Sequence, residues 1–189
     1  MPYRKNSEET NLGEQGEVVV RTWLKQQGYF IVPTSLIFTG GAPMLEGLLK
    51  KYVLPDVLAA KVHPRWVEIK TKTRATFNQK RQRWETGVPL RHWNDYNAVQ
   101  KHSGIEGFLC FLHLREQRIY LGCLAEIGKD SATWEGKPYP EPEIFFDLNR
   151  FDWYEIPTSI HSSLPKPIAI KSFQVWENKS PPNNRQTKF

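Results

Sequence analysis

The chain has 189 residues and a mass of 22.1 kDa, enough for one domain with a real core. Apolar residues make up 39% and charged residues 24%, which excludes a wholly disordered chain, and no run approaches the roughly 18 apolar residues that span a bilayer. Lys and Arg number 26 against 20 Asp and Glu, giving +6 and a pI near 9.3, a balance that favours a polyanionic partner.

The first ten residues, MPYRKNSEET, contain no apolar core of a secretory signal, so a cytoplasmic protein is expected. From about Thr10 to Gly28 the spacing of Leu12, Gly16, Val19, Val20, Trp23 and Gln27 predicts a helix, closed by Gly28. Tyr29–Pro33 reads as a strand. Tyr52–Ala60 and Arg65–Lys72 read as two further strands joined by a tight turn at 61–64. Thr73–Arg91 reads as a polar, basic loop. His92–His102 predicts a helix ended by Gly104, its stripe of His92, Trp93, Tyr96 and Val99 expected to face the core. Gly107–Leu114 and Arg118–Ile127 read as paired strands, with short strands at Glu143–Leu148 and Phe151–Ile156. Prolines at 157, 165, 167, 181 and 182 break any regular element beyond. The expected division is a domain over 1–156 and a basic, poorly ordered tail over 157–189. This order of elements predicts a mixed α/β fold, a central mixed sheet flanked by helices. Cys110 and Cys123 read as buried free thiols, since two cysteines cannot make a disulfide framework or a four-thiolate zinc site. No Walker A, G-x-G-x-x-G, G-x-S-x-G or H-E-x-x-H occurs, and no small-molecule cofactor is expected.

The sharpest pattern is Pro55-Asp56, eleven intervening residues, then Glu68-Ile69-Lys70. Strand side chains alternate, so Glu68 and Lys70 share one face while Val67 and Ile69 enter the core. Asp56 lies between Leu54 and Leu58, where an ionised carboxylate is costly unless paired or metal-bound. A three-residue loop at Lys61–His63 closes Ala60 against Pro64 and places Asp56 opposite Glu68. One step outward places it opposite Lys70. Either register keeps all three groups on one face. Opposed Cβ atoms lie about 4.5–5.5 Å apart, so the two carboxylates repel, and a hard divalent cation such as Mg²⁺ resolves the repulsion. Lys70 stands beside that cation, placed to orient a water. The first helix offers a further acid. Glu17 is preferred, because Gly16 lets the helix approach the sheet, and Glu14 is the alternative.

With these residues the chain resembles the PD-(D/E)xK nuclease superfamily. The resemblance rests on Glu17 in G16-E17-V18-V19, on Pro55-Asp56 and on Glu68-Ile69-Lys70, and it covers about residues 10–127. It extends more loosely to archaeal-type junction resolvases and RecB-like nucleases, although no Gln-x-x-x-Tyr follows Lys70. It implies a restriction-endonuclease-like core and Mg²⁺-dependent hydrolysis of phosphodiester bonds, with Mn²⁺ able to substitute. Carried over, Asp56 and Glu68 are metal ligands, Ile69 donates its carbonyl, Lys70 is catalytic and Glu17 is accessory. A homodimer is implied by the resemblance alone.

Between Lys61 and Lys101 ten basic residues face three acids, a local +7 that exceeds the whole chain's +6. Lys72, Arg74, Lys80, Arg81 and Arg83, interleaved with Phe77 and Trp84, are the candidate nucleic-acid contacts. Basic side chains neutralise phosphates, and aromatic ones stack on unpaired bases. The expected function is a metal-dependent endonuclease on DNA. Without a helix-turn-helix or zinc finger, structure-selective or weakly sequence-specific cleavage is expected. The rival reading is a non-catalytic nucleic-acid-binding protein that keeps the fold.

Overall fold

The structure, a computed structural model, describes residues 7–37, 43–47, 50–136 and 139–164. The first helix, α1 (Ser7–Gln26), starts and ends slightly before its expected limits. Its buried face is Gly16, Val19, Val20, Trp23 and Leu24, the residues that recur every three or four positions. Gly28, at φ 85°, then turns the chain into β1 (Phe30–Pro33). A small ribbon follows, β2 (Met44–Glu46) with β3 (Lys51–Val53), and then β4 (Val57–Ala60) and β5 (Pro64–Lys72).

The sequence pattern 52–60 reads as one strand, and the structure breaks it at Leu54–Asp56. Pro55 has no N–H to give a ladder. The Leu54 N–H goes to the Pro43 carbonyl, while Thr34, buried after β1, donates its N–H to Asp56 O (2.9 Å) and its hydroxyl to Pro55 O (2.8 Å). The chain therefore bends at Asp56 before joining the main sheet.

The segment expected as a loop, 73–91, holds a β-hairpin instead: β6 (Thr76–Asn78) and β7 (Arg83–Pro89), with Gln82 in the left-handed region at φ 53°. Its strand character is hidden because Glu85 and Thr86, both polar, are buried along with Val88. Helix α2 (Leu90–Ser103) follows, ended by Gly104 at φ 68°. Strands β8 (Glu106–His113) and β9 (Arg118–Cys123) pair as expected. The chain then leaves the sheet as α3 (Leu124–Ile127), where a single strand to Ile127 was expected, and Ile127 and Phe151 pack closely over Gly122. Strands β10 (Ala132–Trp134), β11 (Glu143–Asp147) and β12 (Asp152–Glu155) complete the fold.

Among the described residues six strands form the central sheet in the order β1-β4-β5-β8-β9-β12, antiparallel except for the parallel pair β5 and β8. A parallel pair needs a crossover, and β6, β7 and α2 supply it. Four strands form a second sheet, β10-β11-β7-β6. The expected mixed α/β class, a mixed sheet flanked by helices, is what the chain adopts. On one face of the central sheet α1 packs Val19, Val20, Trp23 and Leu24 against Val57, Val67, Ile69, Cys110 and Leu112. On the other, Leu109, Phe111 and Tyr120 meet Tyr96 of α2 and Val88, Ile144 and Phe146 of the second sheet. Past Ile156 the chain stays on the core: a 3-10 turn at Thr158–Ser163 lies against α1, with Ile160 buried. Residues 165–189, the rest of the expected tail, lie outside the described residues. Cys110 is buried and Cys123 half-buried, both as free thiols. Among the described residues no helix is long and apolar enough to cross a membrane.

Candidate active site

The hairpin of β4 and β5 adopts the register with Ala60 opposite Pro64 and Val57 opposite Val67. One residue further, Asp56 comes level with Glu68. There the ladder ends and a side chain takes over: Asp56 Oδ2 accepts the Ile69 N–H at 2.8 Å. The carboxylate thus supplies the acceptor that a continued β4 would have provided. The N–H and C=O of one strand residue point the same way, so the Ile69 carbonyl also faces the side that Asp56 covers.

Glu68 is 3% exposed and lies on the α2 side of the sheet. Its Oε1 accepts hydrogen bonds from the Lys70 ammonium and from the Tyr96 hydroxyl. Among the described residues no hydrogen bond reaches Oε2 of Glu68 or Oδ1 of Asp56. Tyr96 lies in the stripe expected to be core, and it is buried at 1% exposure. Its hydroxyl donates to Glu68, a contact that sequence reasoning missed. Helical spacing identifies a buried face, and nothing in the pattern tells which polar group stands opposite.

Glu17 is half-buried and Glu14 exposed. Gly16 brings α1 against β5 so closely that a Cβ there would fall 1.7 Å from Thr71 Oγ1. Glu17 faces Asp56, Glu68 and Lys70 at electrostatic range, without a hydrogen bond to them. Among the described residues no three His, Cys, Asp or Glu side chains form a ready-made metal cage. What the fold supplies is the Asp56–Glu68 pair, with Glu17 nearby and Lys70 between.

The electrostatics follow from crowding. Burial, then the Glu68 carboxylate, push the Asp56 carboxyl well above its usual range. Burial raises Glu17 as well, against Arg21, with Glu68 adding to the rise. Burial alone would lower Lys70, but the Glu68 and Asp56 carboxylates outweigh it and hold the ammonium protonated. Burial, with Glu68, raises the Tyr96 phenol, so it stays a donor. His92, one turn before Tyr96, is lowered by burial and by Lys70, and its Nδ1 has no hydrogen-bond partner among the described residues.

The predicted nucleic-acid residues divide. Lys72 projects from the same face as Glu68 and Lys70, half-buried, and burial lowers its ammonium. Arg74 and Lys80 are exposed. Arg81 and Arg83 are committed to buried Glu85, at 3.2 and 2.7 Å, and Arg83 also meets Asp147 at 3.7 Å. Trp84 is half-buried on the second core, its ring against Phe77 at 5.3 Å.

Comparison with family models and with curated proteins finds no match. Among solved structures the chain is similar to Hjc, a Holliday junction resolvase from the archaeal hyperthermophile Archaeoglobus fulgidus. The identity is 11% and the TM-score 0.47, over 71% of this chain and 88% of that one.

Proposed function

We propose that the chain is a divalent-metal-dependent endonuclease that hydrolyses phosphodiester bonds in DNA, selecting for structure or weakly for sequence. One observation carries the reading: the carboxylates of Asp56 and Glu68 and the ammonium of Lys70 meet at the end of one hairpin, with negative charge in excess. Burial and mutual repulsion make this arrangement unfavourable for the folded chain by itself, as is common at functional sites.

The donor set fits a hard cation. It is made of oxygens only, which suits Mg²⁺ or Mn²⁺ rather than a thiophilic metal. Asp56, Glu68 and the Ile69 carbonyl would hold it, with Glu17 contributing directly or through water. A cation bound there supplies charge stabilisation for the phosphate and a more acidic water.

The remaining work belongs to the chain's own residues. Lys70, held protonated, is a hydrogen-bond donor rather than a general base. It orients the attacking water and offsets negative charge developing on the phosphate. Tyr96 fixes the carboxylate of Glu68. Lys72, one alternation further along the same face, is placed for a neighbouring phosphate, and Arg74 and Lys80 extend the positive surface.

The test is cleavage of supercoiled, linear and single-stranded DNA with Mg²⁺, Mn²⁺ or EDTA, by the wild-type chain and Lys70→Ala. The expected result is metal-dependent cleavage abolished in Lys70→Ala while DNA binding persists. Salt-sensitive binding without cleavage would refute the proposal and assign the chain to non-catalytic DNA binding.

A further inference from the structure

Each carboxylate of the site has one oxygen already taken. Asp56 Oδ2 holds the Ile69 N–H, and Glu68 Oε1 holds the Tyr96 hydroxyl together with the Lys70 ammonium. Tyr96 is 1% exposed, so its hydroxyl has no solvent to turn to if that bond breaks. What remains for a cation is a single oxygen from each side, Asp56 Oδ1 and Glu68 Oε2.

Cations differ in what they ask of a carboxylate. Ca²⁺ gathers about six to eight oxygens and often takes both from one carboxylate. Mg²⁺ demands near-octahedral geometry, takes single oxygens and keeps several waters. A site that offers one oxygen per carboxylate suits the second habit.

We infer that Tyr96 is a positioning residue that sets cation selectivity: by holding Glu68 Oε1, it restricts the glutamate to one-oxygen binding and disfavours Ca²⁺ against Mg²⁺. The inference rests on the metal-binding reading above. For a cation to engage both oxygens of Glu68, the phenol must give up its acceptor while buried. Leaving a buried donor unsatisfied corresponds to a shift of roughly tenfold in affinity. The Ile69 amide restrains Asp56 in the same way, but no substitution removes a backbone amide. Tyr96 is therefore the restraint that can be tested, and Tyr96→Phe removes the hydroxyl while keeping the ring that packs in the core.

The experiment is calorimetric titration of the full wild-type chain and of Tyr96→Phe with MgCl₂ and with CaCl₂. The ratio of the Ca²⁺ to the Mg²⁺ dissociation constant is expected to fall roughly tenfold in the variant. A ratio that does not move while both cations still bind overturns the role of Tyr96 and leaves the metal reading intact. Binding of neither cation to the wild type overturns that reading and the selectivity with it. A crystal of the wild-type chain soaked in CaCl₂ needs no variant to fold. Glu68 is expected to meet the ion through Oε2 alone, with Tyr96 still on Oε1, and both glutamate oxygens on the ion would overturn the inference.

Discussion

Glu68 and Glu85 are both 3% exposed, one on the central sheet and one on the second, and their surroundings differ in kind. Around Glu85 both oxygens are occupied: Asn78 donates to Oε2 at 2.7 Å, and Arg83 and Arg81 to Oε1. Two cations surround one anion there. Around Glu68 the Lys70 ammonium serves both Glu68 and Asp56, while Glu17 nearby also has Arg21. A buried carboxylate saturated by its neighbours is a joint that fixes a hairpin. One left with excess negative charge and an uncommitted oxygen is the arrangement that the proposed metal-binding reading uses.

The largest expected effect separates these two roles at Asp56. Asp56→Asn keeps an acceptor for the Ile69 N–H and removes one of the crowded charges. Metal-dependent cleavage is expected to fall by at least about 10²-fold, the scale seen when electrostatic stabilisers are removed. The folded chain is expected to gain about 1 kcal/mol, a rise of about 2–4 °C in Tm. A Tm that falls would contradict the account of strain at this site.

Glu85→Ala is expected to behave in the opposite sense. It strands Arg81 and Arg83 and unpins the β6–β7 hairpin. Breaking a buried pair costs several kcal/mol, and the partial exposure of Arg81 reduces this to about 2–4 kcal/mol, seen as a Tm lowered by roughly 4–16 °C. A thermal melt that is unchanged would remove the structural role assigned to Glu85.

Next in size is a pH effect at His113, buried under the second sheet, with Thr86 at 3.2 Å and Lys72 and Glu116 beside it. Burial, with Lys72, lowers its imidazole from about 6.5 to about 3. As pH falls through 6.5 the unfolded chain binds the proton and the folded chain does not. Stability is therefore complete above about pH 6.5 and declines towards pH 3, by about 2 kcal/mol at pH 5. In denaturant titrations His113→Gln should flatten this decline relative to wild type, and parallel curves would show that His113 is not its source.

The smallest effect lies on the basic surface. Lys80→Ala is expected to reduce the slope of log affinity for DNA against log salt by about 1, with Tm unchanged. Arg83→Ala should instead lower Tm, because its guanidinium is spent on Glu85 and Asp147. Equal effects of the two on the salt slope would place Arg83 on the DNA as well.

The hairpin at the site was legible because its signals agree. Alternation puts Val67 and Ile69 inward, and the three-residue loop fixes Ala60 against Pro64. Together they bring Asp56 level with Glu68 or, one step outward, with Lys70, without any knowledge of the rest of the fold, and the structure adopts the first register. Helix α2 was legible from its stripe and from Gly104. Of the second sheet β11 was legible, and β6 and β7 were not, because β7 buries Glu85 and Thr86, whose polarity is satisfied by Arg83 of the same strand and by Asn78, Arg81 and His113 from other segments. Strand alternation cannot register polar residues that tertiary partners neutralise. Pro55 implies an edge position or a bulge, but the full break into two strands was not legible, since the apolar run 52–60 continues through a bend held by Thr34, more than twenty residues earlier. Tyr96 was placed correctly in the interior and given no task, because its partner lies across the core.

Gly16 sets the last dimension. With hydrogen alone as its side chain, α1 settles directly on the hydroxyl of Thr71, the residue after Lys70. Even a methyl group would act as a shim, lifting the helix and carrying Glu17 outward with it. The reach of that third acid towards the hairpin is thus gauged by steric contact between the helix backbone and the Thr71 side chain, and the smallest side chain in the helix works as its spacer.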